Sequence, residues 1–134
     1  MKEIYIARHG ITESNKRKIY MGPSDEGLAP EGRVQTENLG GAIQYLGINR
    51  IYSSPVRRAL ETARIISQIL KIPVEIENGL AEMNLGAWTG LTEEEVSTKF
   101  PSDYHLWNTR PAELVLPERE TLREVQERAL KAIN

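Results

Sequence analysis

The sequence predicts an α/β fold in which a mainly parallel sheet lies between two layers of helices. Short apolar runs alternate with amphipathic helical patterns in the order βαβαβ over residues 2–76. Helices between successive strands are typical of parallel sheets, because parallel neighbours need a long crossover connection. The length of 134 residues and the 40% hydrophobic content fit one domain, residues 1–134, and exclude a disordered chain.

The first predicted strand covers residues 2–7, where Ile4-Tyr5-Ile6 is an unbroken apolar run. A continuous run of this kind is typical of a strand buried on both faces. It ends abruptly at Arg8-His9-Gly10, and ligands of parallel sheets gather at the carboxyl ends of strands. We therefore expect these three residues at a binding site.

A polar loop over residues 12–30 and a helix come next. The loop has the length usually found in binding segments. The helix is predicted to begin near Pro30 and to end at Gly47. It is predicted because one apolar face is formed by Leu39, Ala42, Ile43 and Leu46.

A second strand, a second helix and a third strand complete the βαβαβ pattern. The strands are residues 50–53 and 72–76. Ser53-Ser54-Pro55 predicts the start of the helix between them, with serine as N-cap and proline at the first helical position. Its apolar stripe is Val56, Ala59, Leu60, Ala63, Ile66 and Leu70.

The second half of the chain is predicted to be a loop followed by helices. Thr92 and Glu95 have the spacing of a capping box, and Pro101 ends the helix that they begin. A last helix runs roughly from Glu118, with Leu122, Val125, Ala129 and Ile133 on one face.

Composition excludes several classes of function. A net charge of −2 provides no bulk positive field for nucleic acid or an anionic membrane. The absence of cysteine excludes disulfides, a thiolate nucleophile and Cys-ligated metals, and two histidines are few for a metal site. The absence of cysteine also fits a reducing compartment, so we expect a cytoplasmic protein, and the charged start of the chain does not predict a signal peptide or a membrane span.

Basic residues suggest a local anion site. Arg8, the run Lys16-Arg17-Lys18 and the pair Arg57-Arg58 are all predicted near the carboxyl edge of the sheet. A helix N-terminus at the same edge adds backbone N–H groups for an anion. The two interpretations are a phosphate site and a solvated basic loop.

Separated motifs with chemically active side chains occur along the chain. They are Arg8-His9-Gly10-x-Thr12-x-x-Asn15, Ser53-Ser54-Pro55-x-x-Arg58-Ala59-x-x-Thr62-Ala63, Leu80-x-Glu82 and a loop pattern of Gly22, Asp25, Leu28, Gly32 and Gln35. In this order and spacing they resemble the histidine phosphatase superfamily, which has the phosphoglycerate mutase-like fold. The short segment over residues 85–92 is more similar to small phosphatases, such as the α-ribazole phosphatase-like group, than to the mutases.

The resemblance implies hydrolysis of a small phosphorylated substrate through a phosphohistidine on His9. Arg8 and Arg58 would bind the phosphoryl oxygens. Glu82 would protonate the leaving group, which predicts a pKa raised by burial. The resemblance implies that neither metal nor cofactor is needed, because arginines neutralise the phosphate. It also implies a substrate pocket shaped by Gly10, Thr12, Asn15, Met21 and Gly22.

The sequence also departs from the family pattern. Family members continue past the last helix into a strand that ends in a second His-Gly, and nothing here aligns with it. We therefore expect the N-terminal two-thirds of the family fold, as a fragment, a truncated form or a chain completed by something else. An uncovered strand edge tends to pair with another chain. The absence of the second histidine predicts weak or absent turnover by the chain alone. The uncovered edge predicts a homodimer or a partner segment that completes the sheet.

Two alternatives stay open. They are a cofactor-dependent phosphoglycerate mutase, disfavoured by the short segment over residues 90–117, and an inactive phosphate-binding module. Among the other candidates, Arg57 is expected to face solvent and His105 to be a packed or surface residue. Trp88 and Trp107 are expected to be packing residues.

Overall fold

The structure, a computed structural model, describes residues 3–134, so Lys2 of the first predicted strand lies outside the described residues. None of the described helices is long and apolar enough to cross a membrane. The elements in chain order are α1 (Glu13–Lys16), α2 (Pro30–Ile43), β1 (Ile51–Ser53), α3 (Arg57–Leu70), β2 (Val74–Ile76), α4 (Glu93–Lys99), α5 (Pro101–Thr109) and α6 (Leu122–Ile133). Single 3₁₀ turns cover Asn78–Leu80, Gly86–Trp88 and Pro111–Glu113.

The sheet of the described residues consists of β1 and β2. They are parallel, with Ile51 opposite Val74 and Ser53 opposite Ile76, and α3 is the crossover helix between them. This pairing confirms the predicted parallel arrangement. Helices α2 and α3 pack against each other, and α6 packs on the turn Asn78–Leu80.

The first segment, residues 3–8, differs from the prediction. It was expected to be a buried strand, but it has no strand assignment and all six residues are exposed, with Ile6 at 87% and Ile4 at 66%. A strand needs backbone partners, and among residues 3–134 no other segment forms a ladder with this one. The segment therefore presents its apolar side chains at the surface.

Two predicted helix starts are wrong by a few residues. Helix α3 begins at Arg57 because the Ser54 hydroxyl accepts the Val56 N–H at 3.3 Å, and Val56 is still extended. Helix α6 begins at Leu122 because Glu118 has a left-handed backbone conformation, with φ of 57°. A Thr-x-x-Glu capping box at residues 121–124 then fixes its start.

The remaining helix boundaries follow local signals. Helix α2 begins at Pro30 as predicted but ends at Ile43, so the predicted end at Gly47, which has φ of 68°, is wrong by a few residues. The Thr92 hydroxyl accepts the Glu95 N–H at 3.1 Å, and the Glu95 carboxylate accepts the Thr92 N–H at 2.8 Å. Helix α4 ends before Pro101, which itself begins α5.

The second half of the chain has a hydrophobic core that we call the Trp88 cluster. Trp88, Val96 and Leu114 are buried at its centre, at 0%, 0% and 3% exposure. The guanidinium of Arg119 lies between two rings, 4.4 Å from Trp88 and 4.7 Å from Trp107. The predicted packing role of the tryptophans is confirmed. Around the centre pack Tyr20, Leu85, Leu91, Phe100, Tyr104, Leu106, Trp107 and Leu116.

Candidate functional site

His9 lies at the end of the first segment and is half-buried. Its Nδ1 lies 2.7 Å from the Gly10 carbonyl oxygen, and its Nε2 lies 3.3 Å from Nε of Arg58. A carbonyl oxygen only accepts, so Nδ1 carries the proton, and an arginine N–H only donates, so Nε2 offers its lone pair. The contacts therefore select the neutral tautomer with an unprotonated Nε2.

The surroundings of His9 favour this neutral form. Burial lowers the pKa of His9 below its ordinary value of 6.5, and the positive charges of Arg58 and Arg8 lower it further. The hydrogen bond to Gly10 and the charge of Glu82 act in the opposite direction without reversing the shift. At neutral pH the ring can therefore act as a nucleophile or a base.

Gly10 fixes the position of His9 between α2 and α3. Its N–H donates to the Thr62 hydroxyl at 3.0 Å, and that hydroxyl donates to the Arg58 carbonyl at 2.9 Å. A Cβ at Gly10 would lie 2.5 Å from the Gly32 carbonyl oxygen, so only glycine fits here. One threonine thus joins the backbone beside His9 to the first turn of the helix that carries Arg58.

Arg58 is fully buried and links the other polar groups of the site. Its Nη2 donates to the Gly22 carbonyl at 2.7 Å and to the Glu82 carboxylate at 3.3 Å. Its Nη1 donates to the Ser24 carbonyl at 3.4 Å. A buried cation needs such partners, because desolvation of an unpaired charge is costly. Arg58 therefore contacts both His9 and Glu82 through one guanidinium.

Glu82 follows the 3₁₀ turn Asn78–Leu80 and reaches the site from the surface. Its Oε2 accepts from Arg58, and its Oε1 accepts the Met83 N–H at 2.7 Å. The side chain is 43% exposed. The expectation that Glu82 is buried is therefore wrong, because its side chain is partly open to solvent, although Met83 next to it is buried.

Arg8 is exposed and lines an open cavity of about 510 Å³ together with His9. The other lining residues are Gly10, Ile11, Asn15, Gln35, Thr36 and Leu39. Three of these, from α2, were not predicted as site residues. Gln35 belongs to the loop pattern seen in the sequence, and its Oε1 accepts the Ile11 N–H at 3.0 Å. Leu39 was assigned to the apolar face of α2, and one turn back along that face lies Thr36.

The predicted pocket residues fall into two groups. Gly10 and Asn15 line the cavity. Thr12 is buried, caps α1 and donates its hydroxyl to the Met21 sulfur at 3.3 Å. Gly22, with φ of 54°, turns its carbonyl to Arg58. Thr12, Met21 and Gly22 therefore do not line this cavity.

The predicted convergence of basic residues is wrong for all but Arg8 and Arg58. Lys16 bonds to Glu13 and Glu31 at 3.0 and 2.7 Å, and the exposed Arg57 bonds to Glu61 at 2.9 Å. Nearby carboxylates thus neutralise these cations locally. Arg17 and Lys18 line a separate depression of about 490 Å³ beside the start of α4.

Two further observations concern metals and the second histidine. Within the described part of the chain, no three His, Cys, Asp or Glu side chains cluster in a way that could hold a metal ion. His105 is exposed on α5, as expected for a surface residue. Of the two histidines, His9 is the one that lies beside Arg58 and Glu82.

Comparison with known proteins finds one family. The model of the histidine phosphatase superfamily (branch 1) matches residues 4–134. Phosphoserine phosphatase 1 of Hydrogenobacter thermophilus is 30% identical over 128 residues, which cover 96% of this chain and 61% of that protein.

Solved structures show the same fold. The structure titled as mycobacterial glucosyl-3-phosphoglycerate phosphatase Rv2419c in complex with VO3 superposes with a TM-score of 0.88 at 26% identity, covering 93% of this chain and 62% of that one. The α-ribazole phosphatase from Shigella flexneri superposes with a TM-score of 0.81 at 24% identity, with coverage of 93% and 62%. These superpositions confirm the predicted α/β fold class. The chain spans about three-fifths of the length of these proteins.

Proposed function

Because the chain belongs to the histidine phosphatase superfamily (branch 1), we propose that it takes part in phosphomonoester hydrolysis through a phosphohistidine intermediate on His9. The observation that carries the proposal is the contact of the unprotonated Nε2 of His9 with the buried Arg58, which also contacts Glu82. The guanidinium of Arg58 is a cation that can bind phosphoryl oxygens. It contacts both a nucleophile, His9, and a carboxyl group that can transfer a proton, Glu82.

The proposed reaction has two displacements at phosphorus. In the first, the Nε2 lone pair of His9 forms the N–P bond while the P–O bond to the leaving group breaks, and Glu82 gives its proton to the departing oxygen. In the second, water attacks phosphorus, the N–P bond breaks, and Glu82 takes the proton from water. Arg58 and Arg8 stabilise the negative charge on the phosphoryl oxygens in both steps.

Trapping of labelled phosphate tests the nucleophile without requiring fast turnover. Incubation with a labelled phosphomonoester should leave label that is labile to acid and stable to base. His9→Ala should abolish this label, whereas His105→Ala, which changes an exposed histidine on α5, should keep it. Label that persists in His9→Ala would show that another residue is the nucleophile.

The leaving group tests the role of Glu82. An aryl phosphate with an acidic phenol hardly needs a proton on its leaving oxygen, whereas an alkyl phosphate does. Glu82→Gln should therefore slow hydrolysis of the alkyl substrate by about 10²–10⁴-fold and that of the aryl substrate far less. Equal losses on both substrates would remove Glu82 from proton transfer.

The pH dependence tests the state of His9. Because the pKa of His9 is lowered, phosphohistidine formation should be lost only as pH falls below 6.5, where the ring becomes protonated. Arg8→Gln removes a charge that lowers this pKa, so the acid limb should move to higher pH. Arg17→Gln, in the separate depression, should leave it in place. An acid limb centred at or above 6.5 in the unchanged protein contradicts the assignment.

Vanadate, a phosphate mimic, distinguishes catalysis from phosphate binding alone. Titration should show binding that weakens strongly in Arg58→Gln and less in Arg8→Gln, since Arg58 is buried and Arg8 exposed. Binding without phosphohistidine formation would favour a phosphate-binding module. Absence of both would contradict the proposed site.

We also propose that another polypeptide segment covers the first segment and the open side of the sheet. Exposed apolar side chains support this, among them Ile4, Ile6, Tyr52 and Ile76. Candidates for this segment include a second copy of the chain and a separate partner that completes the sheet. Light scattering on the purified chain should then give a mass above 15.2 kDa or concentration-dependent association. A stable monomer with full turnover would exclude the proposal.

A further inference from the structure

The backbone around Glu82 is held from outside the site by one side chain of α6. Nη1 of Arg128 donates to the Gly79 carbonyl at 2.9 Å and to the Ala81 carbonyl at 2.7 Å. Both carbonyls precede Glu82, one of them directly. A planar guanidinium that binds two carbonyls of one turn fixes their relative orientation, which a single flexible contact does not.

The same guanidinium is tied to the chain that follows Glu82. Nε and Nη2 of Arg128 donate to the two carboxylate oxygens of Glu120, at 2.8 and 3.0 Å. Glu120 Oε2 accepts the Asn84 N–H at 2.8 Å, and the Glu120 N–H donates to the Asn84 carbonyl at 3.0 Å. Contacts through Arg128 and Glu120 therefore enclose Glu82 between residues 81 and 84.

Burial and charge strengthen this arrangement. The side chains of Glu120 and Arg128 are 26% and 25% exposed, less than the other ion pair of α6, Arg123–Glu127, at 84% and 60%. Arg128 and the Asn84 N–H lower the pKa of Glu120, so the carboxylate stays charged at neutral pH. A bidentate pair in such surroundings has a defined geometry, whereas an exposed pair contributes little.

We propose that Glu120 and Arg128 are a positioning pair for Glu82. They fix the backbone of residues 79–84 so that the Glu82 carboxyl stays between the Arg58 guanidinium and the Met83 N–H. Neither residue touches the reacting groups. The catalytic consequence rests on the proposed role of Glu82 in proton transfer, whereas the effect on the loop does not depend on it.

The experiment compares Glu120→Gln, Arg128→Gln and Arg128→Lys with the control Arg123→Gln, which breaks the exposed pair on the same helix. Amide exchange is measured at Met83 and Asn84, and at Val96 as a reference in the Trp88 cluster. The carboxyl ¹³C resonance of Glu82 reports its surroundings. In Glu120→Gln and Arg128→Gln we expect exchange at least about tenfold faster at Asn84, unchanged exchange at Val96 and a shifted Glu82 resonance. Arg128→Lys should recover part of the effect, and Arg123→Gln should show none.

Kinetics on alkyl and aryl phosphates add the catalytic readout. Loss of positioning should lower kcat for the alkyl substrate at least about tenfold, with KM and aryl hydrolysis nearly unchanged. Uniformly faster exchange, or an unmoved Glu82 resonance, would overturn the positioning role. If the unchanged protein forms no phosphohistidine, the proposed function fails, while the exchange and ¹³C measurements still decide whether the pair positions Glu82.

Discussion

The Trp88 cluster and the sheet half of the molecule, residues 3–76, differ in how far their large apolar side chains are exposed. In the cluster, Trp88 and Val96 have no exposed surface. In the sheet half, Ile6 is 87% and Ile76 55% exposed, although both are β-branched residues of the kind that form sheet cores. The cluster therefore encloses its own apolar side chains, whereas these residues of the sheet half stay exposed among the described residues.

The candidate site lies where the firmly packed part of the sheet half begins. His9 ends the exposed first segment, but Gly10, next to it, is buried against α2 and bonded to α3. Arg58 is fully buried in the same place. The site geometry therefore rests on contacts with α2 and α3, and the uncovered first segment ends immediately before His9.

The largest expected effect on the free energy of unfolding is in the Trp88 cluster. Trp88→Ala should lower the free energy of unfolding by about 3–5 kcal/mol, because it removes a fully buried aromatic side chain and leaves a cavity. Tyr45→Ala, which truncates an aromatic side chain that is 86% exposed, should change it by less than about 0.5 kcal/mol. Urea denaturation followed by circular dichroism measures both. Similar losses in the two variants would show that the cluster is not the more stable half.

A smaller effect on stability is expected at Gly10, the junction between the exposed first segment and the packed part of the sheet half. Gly10→Ala should cost about 1–3 kcal/mol, because its Cβ meets the Gly32 carbonyl oxygen and the Thr36 hydroxyl, at 2.5 and 2.8 Å. Gly41→Ala on α2, where a Cβ meets nothing within 4 Å, should stabilise the protein by about 0.5–1 kcal/mol. Denaturation curves of the two alanine variants give the comparison. A neutral Gly10→Ala would mean that the junction is loose and that the contrast between the two halves extends into the site.

The smallest effect on stability is expected in the first segment. Ile6→Lys should change the free energy of unfolding by less than about 0.5 kcal/mol, because the side chain is already exposed. The same change should reduce self-association, since it places a charge on an uncovered apolar edge. Val115→Lys, at 73% exposure in the cluster half, is the control and should leave association unchanged. Light scattering of the unchanged protein and the two variants at matched concentrations measures self-association. If Ile6→Lys associates as strongly as the unchanged protein, the first segment is not the surface through which the chains associate.

Local features were predictable from the sequence, and distant contacts were not. The capping box at Thr92 and the start of α2 at Pro30 depend on residues within one turn, so their patterns predict them. The first strand was not predicted correctly, because a strand depends on partners elsewhere in the chain. The starts of α3 and α6 shifted because Ser54 and Glu118 adopt turn conformations that helical periodicity does not reveal.

The site was predictable only as far as its motifs extend. The family motifs named His9, Arg58 and Glu82, which the structure brings together across 49 and 24 residues of sequence. They did not indicate that Glu82 is partly exposed. Nor did they assign a role to Glu120 and Arg128, because an ion pair eight residues apart is not a helical neighbour pair and has no motif.

The placement of the two tryptophans has a spectroscopic consequence. Trp88 and Trp107, the two tryptophans of the chain, lie in the same cluster with ring centroids 6.3 Å apart. Tyr5, Tyr45 and Tyr52 are exposed in the other half. Indole fluorescence therefore reports on the cluster alone and is blind to events at the sheet. Tyrosine absorbance does not separate the two halves in the same way, because Tyr20 and Tyr104 pack in the cluster, so indole fluorescence is the optical signal that is specific to one half of this small protein.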